Sequence, residues 1–263
     1  MNKTTTEDWL KALRATSERL DGRVRGLSEK DLARPSFAEG WSIAQVLSHL
    51  GSGAEIGVML LERGIRGRTN GPVHDEVLPI WERWDALGPL EQRAAWQDAN
   101  ARHLGLLDSL NAAQHASARV PYFAGLLSVA DYAGYRLSEQ SVHGWDIAVA
   151  LDPTTTIPAD ELRLLWKRLD LVATRFRDAD TLSRLAPAQL AVTLTDEQRT
   201  LLLDLDSELH IYPTNPADPA GTVTGTADTV LRLVYGRHRP GTDAVTAAGR
   251  LAVDDLRALF PGF

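Results

Sequence analysis

Apolar residues in the first 150 or so positions recur with the period of a helix. Leu10, Leu13, Leu20, Val24 and Leu27 follow at steps of three, four and seven, which stacks them on one face. A second stripe, Ile43, Val46, Leu47 and Leu50, predicts a helix over 42–66, with Ser42 placed after Gly40-Trp41 to cap its first free N–H groups. A third helix follows Pro89, a residue suited to a first helical turn, and runs to about Leu110. A fourth starts at Ser128, with Asp131 as capping-box partner, and ends near Leu151 ahead of Asp152-Pro153. The connection over 67–88, broken by Gly71-Pro72 and Pro79 around a short amphipathic piece at 80–84, is too long for a tight turn and predicts a crossover. Residues 1–153 therefore read as an all-α four-helix bundle.

After Pro153 the pattern changes. One more helix is predicted over 158–177, carried by Leu162, Leu165, Trp166 and Leu169. The runs 189–194 and 200–205 then alternate around Thr195-Asp196-Glu197 as a hairpin, and 209–212, 221–224 and 244–247 supply further strands. Helices are predicted over 227–235 and 253–260. Residues 154–263 read as a separate α+β domain.

Composition narrows the function. Hydrophobic residues at 44% and charged residues at 24% are those of a globular chain, so disorder is excluded. No stretch of 18 apolar residues predicts a membrane span. Residues 1–8 carry one Lys and no apolar core of a signal, so a cytoplasmic protein without a membrane partner is expected. A net charge of −7 with no long basic run argues against nucleic acid as a partner. The chain has no cysteine, which removes disulfides, thiolate metal ligands and an intrinsic thiol nucleophile together. Thiol chemistry here would need a thiol brought from outside.

One pair of residues suggests a site. Glu139 and His143 are four apart on the fourth predicted helix and project from one face, flanked by Tyr132, Tyr135, Val142 and Ile147. A carboxylate and an imidazole turned into a bundle need a partner, and a metal ion satisfies both. An ion pair between them meets the same spacing, and seven His among 35 acidic residues give roughly two such pairs by chance. The other, Asp206 with His210, falls in the β-like half. His49 adds a third candidate, beside the stripe of the second helix and followed by Gly51-Ser52-Gly53-Ala54, which would leave open volume around it. A core histidine bonded to a neighbour fits that position too. Together the three would make an open site of the catalytic kind.

Two segments carry a resemblance. The stretch Trp41-Ser42-Ile43-Ala44-Gln45-Val46-Leu47-Ser48-His49-Leu50 is similar to one signature helix of the mycothiol-dependent maleylpyruvate isomerase family, and Glu139-Gln140-Ser141-Val142-His143-Gly144-Trp145-Asp146-Ile147-Ala148-Val149-Ala150-Leu151 to the other. Thr222-Val223-Thr224-Gly225 to Tyr235-Gly236-Arg237 is similar to that family's C-terminal domain. The resemblance implies a DinB-like, up-down-down-up bundle followed by a sterol-carrier-protein-like domain. It implies His49, Glu139 and His143 as ligands of a divalent metal, with zinc expected, and mycothiol as the thiol cofactor. The partners it implies are that small thiol and an electrophilic substrate, isomerised or joined to the thiol.

Arg237, just past a predicted helix and a Gly236 cap, is the candidate catalytic and cofactor-binding residue, since a guanidinium suits a carboxylate. An exposed Arg answering the helix dipole fits the same position. His238 and Arg239 stand beside it. Asp146 is placed either to orient His143 or to bond a neighbouring helix. His74, His103 and His115 are expected at the surface or at helix ends, and Trp41 and Trp145 in packing.

Overall fold

The computed structural model describes residues 4–241 and 244–262; Met1–Lys3 of the segment read for a signal lie outside them. The contacts divide the chain into two compact units, 1–156 and 157–263.

The first unit is the bundle. Its elements in chain order are α1 (Thr6–Val24), a short α2 (Glu29–Leu32), α3 (Ile43–Ile65), α4 (His74–Asp85), α5 (Pro89–Asp108), α6 (Ala112–Ser117), a hairpin of β1 (Arg119–Tyr122) and β2 (Gly125–Ser128), and α7 (Val129–Leu151). Side-chain caps stand where the sequence puts them. Ser42 accepts from the N–H of Gln45, and Ser128 from that of Asp131. Leu27 falls beyond α1.

Cross-contacts give the helix directions. Arg14 reaches Asp108, Ser17 meets Asn100, and Gln97 reaches Asp21, so α1 and α5 run antiparallel. His49 meets Glu139 and Gly57 lies against Tyr132, so α3 and α7 are antiparallel as well. His103, late in α5, bonds Tyr132, early in α7. The order is up-down-down-up, as the resemblance implies. The crossover differs from the sequence expectation: it is a helix with Pro79 inside it rather than a loop holding a short piece. Trp84 on that helix is buried in the bundle core with Trp96, Leu47 and Leu50.

The second unit holds α8 (Ala159–Leu165), a 3₁₀ turn (Trp166–Arg168), α9 (Leu169–Phe176), α10 (Ala179–Leu185), β3 (Ala188–Leu194), β4 (Arg199–Leu205), β5 (Leu209–Tyr212), β6 (Gly221–Gly225), α11 (Ala227–Val234), β7 (Val245–Gly249) and α12 (Val253–Leu259). The single helix expected over 158–177 is thus broken, and Leu165 and Leu169 stay buried on either side of the break. The sheet order is β5-β4-β3-β6-β7, with β3 and β6 parallel and the other neighbours antiparallel. Its Val192, Leu203 and Val223 face Leu169, Leu233 and Phe260 around an apolar cavity of about 20 Å³. That is room for roughly one water. Among the described residues no helix is long and apolar enough to cross a membrane.

Candidate metal centre

The bundle brings His49, Glu139 and His143 together. Each offers one ligand atom, and these atoms all lie within 4.8 Å of one another. His49 Nε2 and Glu139 Oε2 are 3.0 Å apart, and His143 Nε2 is 3.7 Å from the same oxygen. The His49 side chain is 40% exposed against 4% for His143, so the group opens to solvent on the α3 side.

Asp146 takes the first of its two expected roles. Its Oδ2 accepts from His143 Nδ1 at 2.9 Å, and the residue is fully buried. A proton held on Nδ1 leaves Nε2 as a lone pair facing Glu139. Burial lowers the pKa of His143 against the opposing pull of Asp146, which favours the neutral ring a ligand needs. Burial raises Glu139, but the hydrogen bond with His49 and the charges around it hold that carboxyl down to about 2. Two imidazoles and an ionised carboxylate, one ring fixed from behind, form a donor set that fits a divalent ion.

The segment before α3 shapes the rim. Gly40 adopts φ +77°, and Ser36 bonds the Trp41 carbonyl, so the chain turns back and lays Trp41 across the site. Its ring is stacked on His143 at 6.0 Å and tilted on His49 at 5.1 Å. Trp41 therefore walls the site instead of filling the core, while Trp145 does pack, against Phe37.

Two expectations about neighbours fail. The small residues after His49 do not leave open volume: a Cβ on Gly51 would strike the Trp84 ring, and one on Gly53 would lie 2.8 Å from Arg136 Nη1. His103 is not at the surface; it is 1% exposed and bonded to the Tyr132 hydroxyl at 2.7 Å. His74 is exposed as expected, and His210 pairs with Asp170 and Glu208 rather than Asp206. Reading the sequence missed Arg136 and Tyr122. Arg136 lies three residues before Glu139 on the same face, a signal the spacing did contain.

Arg237 belongs to the second unit. Gly236 at φ +73° and the bonds Gly236 N–H to Leu233 O and Arg237 N–H to Arg232 O close α11 in a Schellman turn. The guanidinium is buried, not exposed, and donates to the Tyr235 carbonyl at 2.8 Å.

Comparison with known proteins gives the family. The family model for the mycothiol maleylpyruvate isomerase N-terminal domain matches residues 13–148. The chain belongs to this family. Two uncharacterized proteins of Mycobacterium tuberculosis, from strains CDC 1551 / Oshkosh and ATCC 25618 / H37Rv, are each 28% identical over 251 residues, 90% of this chain and 88% of theirs. A crystal structure of the mycothiol-dependent maleylpyruvate isomerase superposes with a TM-score of 0.70 at 18% identity, over 95% of this chain and 98% of that one. At that identity the likeness shows the fold, and it extends over both units.

Proposed function

We propose that this family member is a metal-dependent enzyme that uses mycothiol on a small electrophile, by maleylpyruvate-type cis–trans isomerisation or by S-transfer. The observation that carries the reading is the convergence of His49, Glu139 and His143 with Asp146 behind His143. These three residues would hold the ion, with zinc as the expected metal. When bound, such an ion lowers the pKa of a coordinated thiol and so supplies a thiolate at neutral pH.

The chain's own residues prepare that chemistry. Asp146 keeps the His143 proton on Nδ1, Glu139 stays ionised, and Trp41 screens one side from water. In the isomerase reading the external thiolate adds to one carbon of a cis double bond, the resulting single bond rotates, and elimination returns thiolate and trans product. In the transferase reading the adduct takes a proton and leaves. Arg237 is proposed to bind an anionic group of the substrate or thiol, since a guanidinium suits a carboxylate by paired hydrogen bonds. A cytoplasmic location is part of the same proposal. The competing reading is a non-catalytic, metal-containing ligand-binding protein or a stress-related DinB-like bundle, and binding of apolar ligands without thiol dependence would favour it.

Elemental analysis of the purified protein and of His49→Ala and His143→Ala, beside an assay of mycothiol-dependent electrophile consumption, tests the proposal. We expect one divalent ion per chain, lost with activity in both variants. Undiminished metal in both variants would overturn the ligand assignment, and full activity without metal would overturn the mechanism.

A further inference from the structure

Arg136 is a buried guanidinium whose setting the metal site does not explain. It is 4% exposed, one turn before Glu139 on the same face of α7. Nη2 donates to the Leu50 carbonyl at 3.3 Å, and Nη1 fills the place a side chain at position 53 would take. Nε is buried with no hydrogen-bond partner. Among the described residues, no carboxylate oxygen lies within ion-pair distance of this guanidinium. Glu139, the nearest acid along α7, spends its contacts on the two histidines. Arg136 feels the charge of Glu139 but makes no direct ion pair, and a carboxylate arriving with a ligand would supply one.

The hairpin completes the setting. Tyr122 at the end of β1 turns its hydroxyl toward the Arg136 guanidinium and lies within the field of Glu139. Its ring packs edge-on to Tyr132 at 5.5 Å and tilted on Tyr135 at 5.6 Å, which fixes the hydroxyl. A guanidinium edge and a phenol O–H converging beside a metal-type triad match the two oxygens of a carboxylate.

We infer that Arg136 and Tyr122 form a carboxylate-binding subsite beside the triad, which receives an acid group of the small molecule treated there. The inference deepens the proposed function and rests on it for the identity of the neighbouring centre, but binding of a carboxylate can be read without turnover.

The test uses maleate as probe on the full chain, by calorimetry and by the Arg side-chain Nε–H signals in ¹H–¹⁵N spectra, with sulfate at matched ionic strength as control. Maleate should bind and shift one Nε–H signal, the one missing in Arg136→Lys. Arg136→Gln should weaken maleate about tenfold or more, and Tyr122→Phe several-fold, with metal content unchanged. If Arg136→Gln does not fold, the wild-type Nε–H shift and Tyr122→Phe still decide. Maleate binding that ignores both substitutions, no maleate binding, or sulfate binding as tightly overturns the subsite. Arg136-dependent maleate binding in a protein that proves to hold no metal would sustain the subsite and overturn the metal reading instead.

Discussion

At the scale of single residues, the informative group is the acid behind the proposed ligand His143. Asp146 has no exposure and accepts from His143 Nδ1, so it sets which ring nitrogen carries the proton. Exchanging its carboxylate for an amide keeps the shape but allows an N–H to face Nδ1, which favours the tautomer with the proton on Nε2. Asp146→Asn should therefore weaken metal binding by roughly 10–100-fold. Competition with a chromogenic chelator reads the loss, and an unaltered circular dichroism spectrum shows that the fold is kept. An unchanged affinity would mean that Asp146 does not govern the tautomer.

At the scale of elements, α3 is built to be approached closely. Gly51, Gly53 and Gly57 receive the Trp84 ring, the Arg136 guanidinium and the Tyr132 hydroxyl, each where a Cβ would otherwise sit. Gly105 on α5 has nothing near its missing Cβ. The same substitution should thus act in opposite directions. Gly105→Ala should stabilise by about 0.5–1 kcal/mol through helix propensity. Gly51→Ala should destabilise by about 1–3 kcal/mol, because the bonded and packed indole of Trp84 must move. Urea unfolding of both variants measures it, and equal effects would contradict the packing described.

The same glycines mark the limit of what the chain reveals before it folds. Period, caps and the hairpin of β3 and β4 are local properties, so the long helices and most strands of the second unit are legible from neighbouring residues. The pairing of Glu139 with His143 is legible for the same reason, while His49 joins them through the resemblance. What fills the space beside Gly51 and Gly53 is decided by Trp84 and Arg136, from other helices, and no local pattern holds that information. The buried place of His103 and the helix through Pro79 are misjudged likewise: partners distant in the chain override the polarity of one and the breaking tendency of the other.

At the scale of the whole molecule, buried histidines tie stability to pH. His103 is pushed well below its ordinary value of 6.5 by burial and then by the charge of Arg136. The unfolded chain takes up that proton near 6.5, the folded chain only at lower pH. Above 6.5 the group therefore exacts no penalty. As pH falls below 6.5 the unfolded state binds more protons and stability declines, until the folded value is reached. For one such group the slope approaches about 1.4 kcal/mol per pH unit. Urea unfolding between pH 7.5 and 5.5 should show the decline, and His103→Gln should make it shallower. A variant as steep as the parent would place the dependence elsewhere.

The hairpin of β1 and β2 has a consequence of another kind. The proposed ligands sit on α3 and α7, whose faces are locked by the packing around them, whereas Tyr122 comes from a short ribbon spliced between α6 and α7. Its outer residues Phe123 and Leu126 are about half exposed and answer to no core constraint. Such a ribbon is adjustable at its outer positions: a designer can vary 123 and 126 while buried Val120 and the packed ring of Tyr122 keep it seated.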